Sequence, residues 1–462
     1  MKLFKRLIIS ALLICFLPMN AGAQFIPVLT GKQEFTAIDK LQSFGGLTFA
    51  KIYSKLPTGP VTAAQLAADY SVGSATATYT VDRTGANVSP GTYVDDNGVV
   101  QLLSAVDDIA RVQGGYYDAT GFHAQKGLMI EAAGTNLLQD SYFADGTTTY
   151  WRSEFAGGVV STTTERTNVY GGGQVLKIVG TDANFGMRTA VASQPTFVLG
   201  TVYTVSALVR GSGDARFKIA ITGGASMVDT ADTLQDGYWQ KMTYTFTADV
   251  SNIGNVGIIR GGTSMTCYVA YIQLEASPYA TSFIPTTTTA LTRPADVLKY
   301  AIAGNRTAAS ESIFVKFAPE YNATSLTTAA WFFANDGTNN RIATVDTAGN
   351  DYRILFKPNL TAGPTVASET IVSINTSYTL AFISNSADVD PNALLYVDGA
   401  SESVSYTPNT NFTPNDWSGN FYVGLRNNGL QQINGVYQGL AVYSGVKSAP
   451  DTSSITTILQ NN

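Results

Sequence analysis

The chain has 462 residues, which is enough for two or three domains. Aromatic residues make up 11% of it and charged residues only 13%, and the 43 glycines suit many tight turns, so the composition favours a β-rich protein over a helical one. The net charge of −6 argues against nucleic acid and anionic lipid as the main partners.

Residues 1–23 have the pattern of a secretory signal peptide. The first six residues carry three positive charges, residues 7–17 are apolar, and Ala21-Gly-Ala23 fits a cleavage site. The alternative is a membrane anchor, for which the apolar run is short. Cleavage would shift the net charge from −6 to −9. We therefore expect a secreted or cell-surface protein without a membrane span after cleavage.

Residues 24–125 are expected to form a small β-rich leader region. A helix is predicted at residues 62–69, with Thr62 as its cap. The run Asp95-Asp-Asn-Gly98 predicts a hairpin turn, because Asn-Gly supplies the positive φ angles that a two-residue turn needs. Strands are predicted on both sides of this turn, at residues 92–94 and 99–103.

A longer segment resembles a leader found in phage tail-type proteins. The resemblance rests on the hairpin at residues 91–98, on Gly127-Leu-Met-Ile-Glu131 and on Thr135-Asn-Leu-Leu138. Proteins of this type usually carry an arginine where this chain has Gly134. The resemblance implies an architecture and no activity.

Residues 126–288 are predicted to form an antiparallel sandwich. Short alternating strands are separated by Gly, Asp and Ser clusters, without a helical period between them. The predicted strands are residues 174–179, 202–210, 216–222, 239–248, 256–259 and 267–274. Cys267, the one cysteine left after signal cleavage, is expected to be a buried small side chain, because it has no partner for a disulfide.

The end of this region resembles CenC-type carbohydrate-binding modules. The residues are Tyr271-Ile-Gln-Leu-Glu275, then a clamp segment, Tyr279-Ala-Thr-Ser-Phe-Ile-Pro285, before a threonine-rich tether. The resemblance implies a jelly roll that binds glycans on a concave face. Many such modules hold a structural calcium with an acidic pair, where this chain has Ala270 and Tyr271. Since calcium needs several oxygen ligands, we expect no cofactor at that point.

Residues 289–452 are predicted to form a second sandwich, followed by a C-terminal tail at residues 453–462. Asp451 is predicted to cap a short helix at residues 452–459. Three segments resemble strands of concanavalin A-like (laminin-G-type) domains: Asn392–Gly399, Asn420–Leu425 and Gly439–Tyr443. Further strands are predicted at residues 312–317, 329–334, 341–345, 352–356 and 378–384.

The sequence offers little that indicates catalysis. Glucanases of the concanavalin A-like fold carry an E-x-D-x-x-E strand, and this chain has none. Its one histidine, His123, has no G-x-S-x-G elbow with it and is expected to be a turn residue. Asp388 and Asp390 form a D-x-D motif with two interpretations, a calcium contact and an ordinary solvated turn. We expect no catalytic residues, and we assign no metal ligands.

Binding is the better-supported class of function. Sugar sites combine aromatic faces with planar polar groups, and each candidate also has a structural alternative in a core or on a solvated face. The candidate ligand-binding residues are Trp151, Arg210, Asp336, Arg341, Trp417 and Arg426.

The sequence therefore predicts an all-β protein with two tandem antiparallel β-sandwiches, a jelly roll and then a concanavalin A-like domain, after a signal peptide and a leader. The leading hypothesis is a secreted, non-catalytic protein that binds polysaccharide or a cell-surface glycan. The alternatives are a phage-like fibre or surface-adhesin component, which would be a homo-oligomer, and a glycan hydrolase with an unrecognised site.

Overall fold

The structure is a computed structural model that describes most of the chain after residue 35. The described residues are 36–62, 65–66, 71–72, 77–80, 87–103, 108–144, 149–154, 159–180, 185–262, 264–306, 310–320, 330–335, 341–346, 353–356, 365–385, 393–402, 405–407, 419–424 and 432–462. The predicted signal peptide lies outside them. All the elements below belong to one unit, Ala37–Asn462.

The described elements are almost all strands. Up to residue 136 they are α1 (Ala37–Gln42), β1 (Leu47–Lys51), β2 (Gly59–Thr62), β3 (Ser71–Val72), β4 (Ala77–Thr80), β5 (Thr92–Val94), β6 (Val100–Leu102), β7 (Ile109–Asp118), β8 (Gly121–Ile130) and β9 (Gly134–Asn136). They continue with β10 (Trp151–Glu154), β11 (Val159–Thr163), β12 (Val175–Gly180), β13 (Gly186–Thr189), β14 (Val202–Ser212), β15 (Asp214–Ile221), β16 (Ser226–Val228), β17 (Asp232–Thr233), β18 (Gln240–Thr247), β19 (Gly254–Arg260) and β20 (Met265–Glu275).

The last part of the chain adds thirteen strands and one helix among the described residues. They are β21 (Leu291–Arg293), β22 (Val297–Ala301), β23 (Ser310–Pro319), β24 (Ala330–Asn335), β25 (Arg341–Asp346), β26 (Arg353–Phe356), β27 (Thr365–Ile371), β28 (Tyr378–Asn385), β29 (Ala393–Val397), β30 (Ala400–Glu402), β31 (Ser405–Thr407), β32 (Asn420–Val423), β33 (Gly435–Ser444) and α2 (Ala449–Gln460). Two 3₁₀ turns, Tyr53–Lys55 and Val191–Ser193, complete the set.

Strands β10–β20 form one sandwich, which we call the inserted sandwich. One of its sheets has the order β11-β12-β20-β14-β18, and the other contains β10-β13-β19-β15-β16 with β17 beside β15. Alternate side chains point between the two sheets, as a pleated strand requires. On β14 these are Val205, Ala207 and Val209, and they pack with Phe217 and Ile219 of the opposite sheet. Cys267 is a buried free thiol in this core.

The second sandwich, which we call the split sandwich, takes strands from both ends of the described chain. One sheet has the order β2-β7-β8-β33-β23-β28-β29-β30, with β1 also beside β33, and the other has the order β31-β27-β26-β25-β24-β32-β22-β4. Phe49, Val112 and Leu128 from the N-terminal strands share its core with Phe382 and Leu440 from the C-terminal ones. The prediction of an all-β protein built from antiparallel sandwiches is confirmed.

The sheets do not follow the predicted division at residues 125 and 289. Apart from β5 and β6, which pair with each other, the strands assigned to a separate leader region complete the split sandwich: Ala50 of β1 pairs with Ala441 of β33, and Tyr79 of β4 pairs with Leu298 of β22. The chain leaves the split sandwich after β8, builds the inserted sandwich and returns before β22. The short strands β9 and β21 pair at this point, with Thr135 opposite Thr292, so the entry and exit of the inserted sandwich are held together.

The two helices pack on the outer face of the split sandwich. Ile455 and Leu459 of α2 and Leu41 of α1 are buried against that sheet. Helix α2 starts earlier than predicted, because Ser448 and not Asp451 is its cap: the Ser448 hydroxyl accepts the Asp451 N–H at 3.3 Å. The segment predicted as a tail is therefore mostly helix. Neither of the two described helices has the length and hydropathy needed to cross a bilayer.

Candidate functional site

A cavity of about 430 Å³ lies between the two sandwiches. We call it the cleft. Its floor is the outer face of the five-stranded sheet of the inserted sandwich. Its walls come from the β5–β6 hairpin, the β7–β8 turn, Pro278 with residues 279–283 of the clamp segment, and two loops of the split sandwich. Small-molecule sites of proteins have volumes of about 300–1,000 Å³, so the cleft has room for a short ligand.

The floor of the cleft is polar because of strand alternation on β18. Met242 and Phe246 point into the core of the inserted sandwich, so Lys241, Thr243 and Thr245 face the other way, into the cleft. Ser206 of β14 joins them on this floor. The floor therefore offers three hydroxyls and one ammonium group to a ligand.

The β5–β6 hairpin forms one wall. The hairpin lies where it was predicted, but its turn has three residues between Asp95 and Val99 and not two, and of Asn97 and Gly98 only Gly98 has a positive φ. Gly98 has a φ of +79°, and the Asp95 carboxylate accepts hydrogen bonds from the N–H groups of Asn97 and Val99, both at 2.9 Å. The Tyr117 hydroxyl donates to the Gly98 carbonyl at 2.5 Å. Burial, followed by the charge of Asp95, raises the pKa of Tyr117 to about 12, so this phenol stays neutral. The wall is tied to β7 by this bond.

The clamp segment closes the cleft over β20. Phe283 stacks on Tyr271, with ring centroids 4.0 Å apart and an interplanar angle of 16°. The buried Glu275 carboxylate accepts the Thr281 N–H at 2.7 Å, and the side-chain Oε1 of Gln273 accepts the Ile284 N–H at 2.7 Å. These contacts fold the segment back on its own sandwich. The segment therefore covers most of Tyr271, and the part of the floor that stays open lies on β14 and β18.

Two loops of the split sandwich reach the cleft with Glu320 and Asn375. Glu320 directly follows β23, and Asn375 lies before β28 with a positive φ of 59°. The Gln113 side chain hydrogen-bonds to the Glu320 carboxyl. Burial, followed by the negative charge of Glu131, raises the pKa of Glu320 to about 7. The carboxyl can therefore change its charge near neutral pH.

The rim of the cleft carries the one histidine of the chain. His123 Nε2 lies 3.0 Å from Asp118 Oδ1 and 2.9 Å from the Thr120 hydroxyl, and its ring stacks on Tyr116 with centroids 5.2 Å apart. Burial acts to raise the pKa of Asp118, and the hydrogen bonds from Thr120 and His123 outweigh it, so the net pKa is lowered. His123 lies at the start of β8, just after the turn, and it orients Asp118 and Tyr116, which line the cleft.

A buried group of charges lies under the cleft, where the two sandwiches meet. Arg111 donates to Glu131 Oε2 at 2.8 Å and also to Asp296, and Arg293 Nη2 lies 3.5 Å from the same Glu131 oxygen. The side chain of Arg111 is 0% exposed and that of Glu131 is 1% exposed. The Ser282 hydroxyl of the clamp segment donates to Glu131 at 2.6 Å. These ion pairs join β7, β8, the clamp and the returning chain, and so fix the walls of the cleft.

The structure does not gather the sequence-predicted site residues in one place. Trp151 lies in the core of the inserted sandwich, where its indole N–H donates to the Asp140 carbonyl at 2.8 Å. Arg210 is on β14 and donates to the Asp236 carbonyl at 2.6 Å. Neither lines the cleft. Arg341 begins β25, and its side chain is outside the described part, as are the residues Asp336, Trp417 and Arg426.

The metal and thiol predictions can be compared with the described residues only. Within the described ranges, no group of three or more His, Cys, Asp or Glu side chains is placed to hold a metal ion. Asp388 and Asp390 lie outside those ranges. Tyr271 stacks on Phe283. Burial raises the pKa of the Cys267 thiol, which keeps it protonated.

Sequence reasoning missed the cleft residues for two reasons. The alternation at Lys241, Thr243 and Thr245 was a usable signal, because polar residues on one face of a strand next to a buried face mark the outer surface. Glu320 and Asn375 gave no signal, since they are isolated in sequence and reach the cleft only through the packing of the two sandwiches.

Comparison with known families identifies the inserted sandwich. A family described as a carbohydrate binding domain matches residues 135–259, which span β10–β19 and include the floor residues on β14 and β18. Residues 135–259 therefore match a carbohydrate-binding domain, which supports that coarser part of the sequence prediction. The match does not extend to the split sandwich, so the concanavalin A-like resemblance stays a prediction.

The solved structures to which this chain is similar include a xylan-binding domain and a domain of an arabinanase. The CBM22-1 xylan-binding domain of Xyn10C from Paenibacillus barcinonensis is 17% identical over 33% of this chain and 97% of its own, with a TM-score of 0.24. The CBM22-1–CBM22-2 tandem of the same protein is 11% identical over 70% of this chain and 93% of its own, with a TM-score of 0.26. Domain 4 of AbnA, an extracellular arabinanase from Geobacillus stearothermophilus in complex with arabinotriose, is 14% identical over 35% and 73% of the two chains, with a TM-score of 0.25. No curated protein sequence matches the chain.

Proposed function

We propose that the protein is a secreted, non-catalytic carbohydrate-binding protein that takes a short glycan in the cleft. One observation carries the proposal: Ser206, Lys241 and Thr243 belong both to the segment that matches the carbohydrate-binding family and to the floor of the cleft. The family match supports the class of ligand, and the cavity supports the place.

The side chains around the cleft suit a sugar. Pyranose rings present C–H groups on their faces and hydroxyls at their edges, so their sites combine aromatic rings with hydroxyl, amide and charged groups. The walls carry the tyrosines Tyr93, Tyr116 and Tyr279, all partly exposed, and the floor carries hydroxyls and Lys241. Burial raises the pKa values of all three phenols, so they remain neutral hydrogen-bonding groups.

Calorimetry with the full chain tests this proposal. The probes are xylohexaose, cellohexaose, laminarihexaose and chitohexaose, and we expect micromolar-to-millimolar binding of at least one of them. Thr243→Trp places a large ring on the floor at an exposed strand position that tolerates aromatic residues, so it should block binding without unfolding the sheet.

Thr247→Trp is the matched control for that variant. Thr247 is exposed on the same strand and the same face, and it does not line the cleft, so this change should leave the affinity as it is. Absence of binding by the wild-type chain to all four sugars would count against the proposed site. An equal loss of affinity in the Thr243→Trp and Thr247→Trp variants would also count against it.

Export is the second part of the proposal and rests on the basic start, apolar run and small-residue cleavage site of residues 1–23. The test is the N-terminal residue of the protein recovered from the culture medium or periplasm after expression of the full chain. A chain found there that begins at Gln24 would support export, and an uncleaved chain kept in the cytoplasm would contradict it.

Glycoside hydrolysis is the alternative function at the same place. Glycosidases use two carboxyl groups, one of which has a raised pKa and acts as the acid. The cleft is lined by Asp118, Asp232 and Glu320, and the pKa of Glu320 is raised to about 7, chiefly by burial. Release of reducing ends from the same four sugars, lost on Glu320→Gln, would replace the binding proposal with this one.

A further inference from the structure

Glu320 stands on the opposite side of the cleft from the matched carbohydrate-binding segment. It belongs to the split sandwich, where its N–H donates to the Asn434 carbonyl at 3.1 Å, and it lines the same cavity as Lys241 of β18. Asn375, from a second loop of the split sandwich, lines that cavity too. The floor and this wall therefore come from two different sandwiches.

The carboxyl of Glu320 is incompletely satisfied. Gln113 provides one hydrogen bond, while Oε1 is shielded from solvent and has no hydrogen-bond partner among the described residues. A buried polar atom without a partner costs free energy, and such atoms in native proteins need an explanation. A ligand hydroxyl that donates to this carboxyl would supply the missing bond.

The charges around Glu320 explain its titration. After burial, the largest effect is the negative charge of Glu131, which raises the pKa of Glu320; Lys241 and Arg111 act in the opposite direction. The phenols of Tyr116 and Tyr271 also face it, and burial raises the pKa of each. The pKa of Glu131 is lowered, although burial opposes this, because Arg293 and Arg111 stabilise its charge. Of this set, Glu320 is the carboxyl that changes charge near neutral pH.

We propose that the glycan site is composite, with the Glu320 carboxylate of the split sandwich accepting hydrogen bonds from hydroxyls of a sugar that lies on the floor of the inserted sandwich. The inference rests on the proposed function and adds a residue and a ligand class to it. Among the described residues, the cleft is lined by three carboxyl groups, Asp118, Asp232 and Glu320, against one ammonium, Lys241. This balance disfavours acidic sugars, so the ligand is a neutral glycan.

The experiment compares the affinity of full-chain variants for the neutral hexasaccharide that the wild type binds best. Glu320→Gln should weaken binding about tenfold or more, because a hydrogen bond to a charged group is lost. Glu165→Gln is the matched control, since Glu165 is an exposed carboxylate of the inserted sandwich outside the cleft. It should bind like the wild type.

The pH profile separates a ligand-binding carboxylate from a structural one. Hydroxyl donors favour the ionised form of Glu320, so wild-type affinity should fall about tenfold from pH 8 to pH 5, and Glu320→Gln should remove this dependence. Histidine also titrates in this range. His123→Gln should therefore keep the dependence, because His123 is not among the groups that shift the pKa of Glu320.

Each outcome bears on the proposal. Equal affinity of the wild type and Glu320→Gln, or a pH dependence that disappears in His123→Gln and persists in Glu320→Gln, would overturn the composite site and leave the proposed function standing. A wild-type chain that binds none of the hexasaccharides would overturn both.

If Glu320→Gln fails to fold, Asn375→Gly tests the same wall, since glycine keeps the positive φ of that position. Weaker binding by this variant supports the composite site, and unchanged binding overturns it.

Discussion

Arg111 and Glu131 form a fully buried ion pair at the junction of the two sandwiches, with Arg111 Nη2 2.8 Å from Glu131 Oε2. Arg111 is on β7, and Glu131 follows β8 where the chain leaves for the inserted sandwich. Asp296, where the chain returns, also accepts from Arg111. The pair therefore connects the entry and the exit of the inserted sandwich.

Removing one side of this pair should strongly destabilise the protein. Arg111→Met leaves Glu131 and Asp296 buried without one of their cationic partners, so the free energy of unfolding should fall by about 3–5 kcal/mol. Urea unfolding at pH 7 measures it. Arg166→Met, which breaks an exposed pair with Asp236, is the control and should change little. A small loss for Arg111→Met would show that the pair does not hold the junction.

The raised pKa of Glu320 predicts a pH-dependent cost to stability. Between its ordinary pKa of 4.5 and about 7, the unfolded chain has released a proton that the folded protein still holds. The contribution of Glu320 to the free energy of unfolding therefore falls as the pH rises through this window, and it is lowest above pH 7.

Glu320→Gln should remove that fall. The variant should be more stable than the wild type by about 1–3 kcal/mol at pH 8 and nearly equal to it at pH 4.5, as urea unfolding at the two pH values would measure. The same gain in the free energy of unfolding at both pH values would mean that packing, and not the charge of Glu320, is responsible.

Tyr116 should contribute to sugar binding by its ring face. Tyr116→Ala removes a wall of the cleft, and we expect the affinity for the best-bound hexasaccharide to fall by about 5–30-fold. Tyr238→Ala removes a tyrosine that is 38% exposed and does not line the cleft, so its affinity should not change. Calorimetry on both variants decides whether the cleft is the contact surface.

Trp151 should behave as a core residue. Trp151→Phe keeps a ring in the core but leaves the Asp140 carbonyl without the indole N–H, so the free energy of unfolding should fall by about 1–3 kcal/mol. Its affinity for sugar should stay that of the wild type once folding is complete. This is the reverse of the result for Tyr116→Ala, so the two variants together separate stability from binding.

Local sequence patterns predicted the strands of the inserted sandwich well. The predictions at residues 202–210 and 239–248 correspond to Val202–Ser212 and Gln240–Thr247. The position of the Asp95–Gly98 turn was predicted equally well, because the residues that set it are adjacent in the chain. Alternation and turn chemistry act over a few residues, so the sequence alone carries them.

No local pattern in the sequence indicates which distant strands pair. β1 pairs with β33 across about 390 residues, and its apolar alternation would have suited any partner strand with a buried face. The N-terminal region was therefore predicted as a separate leader region. The same lack of long-range information placed Trp151 among the ligand-binding candidates, since only packing shows that its ring is covered.

By itself, the sequence determined the all-β class, most strand positions, the hairpin turns and the resemblance to a carbohydrate-binding module, because alternation, turn residues and module motifs are short-range properties. Only the tertiary structure decided that one sandwich is inserted into another and that Glu320 lies across a cleft from Lys241. That decision depends on burying two large sheet faces at once, and no local segment specifies it.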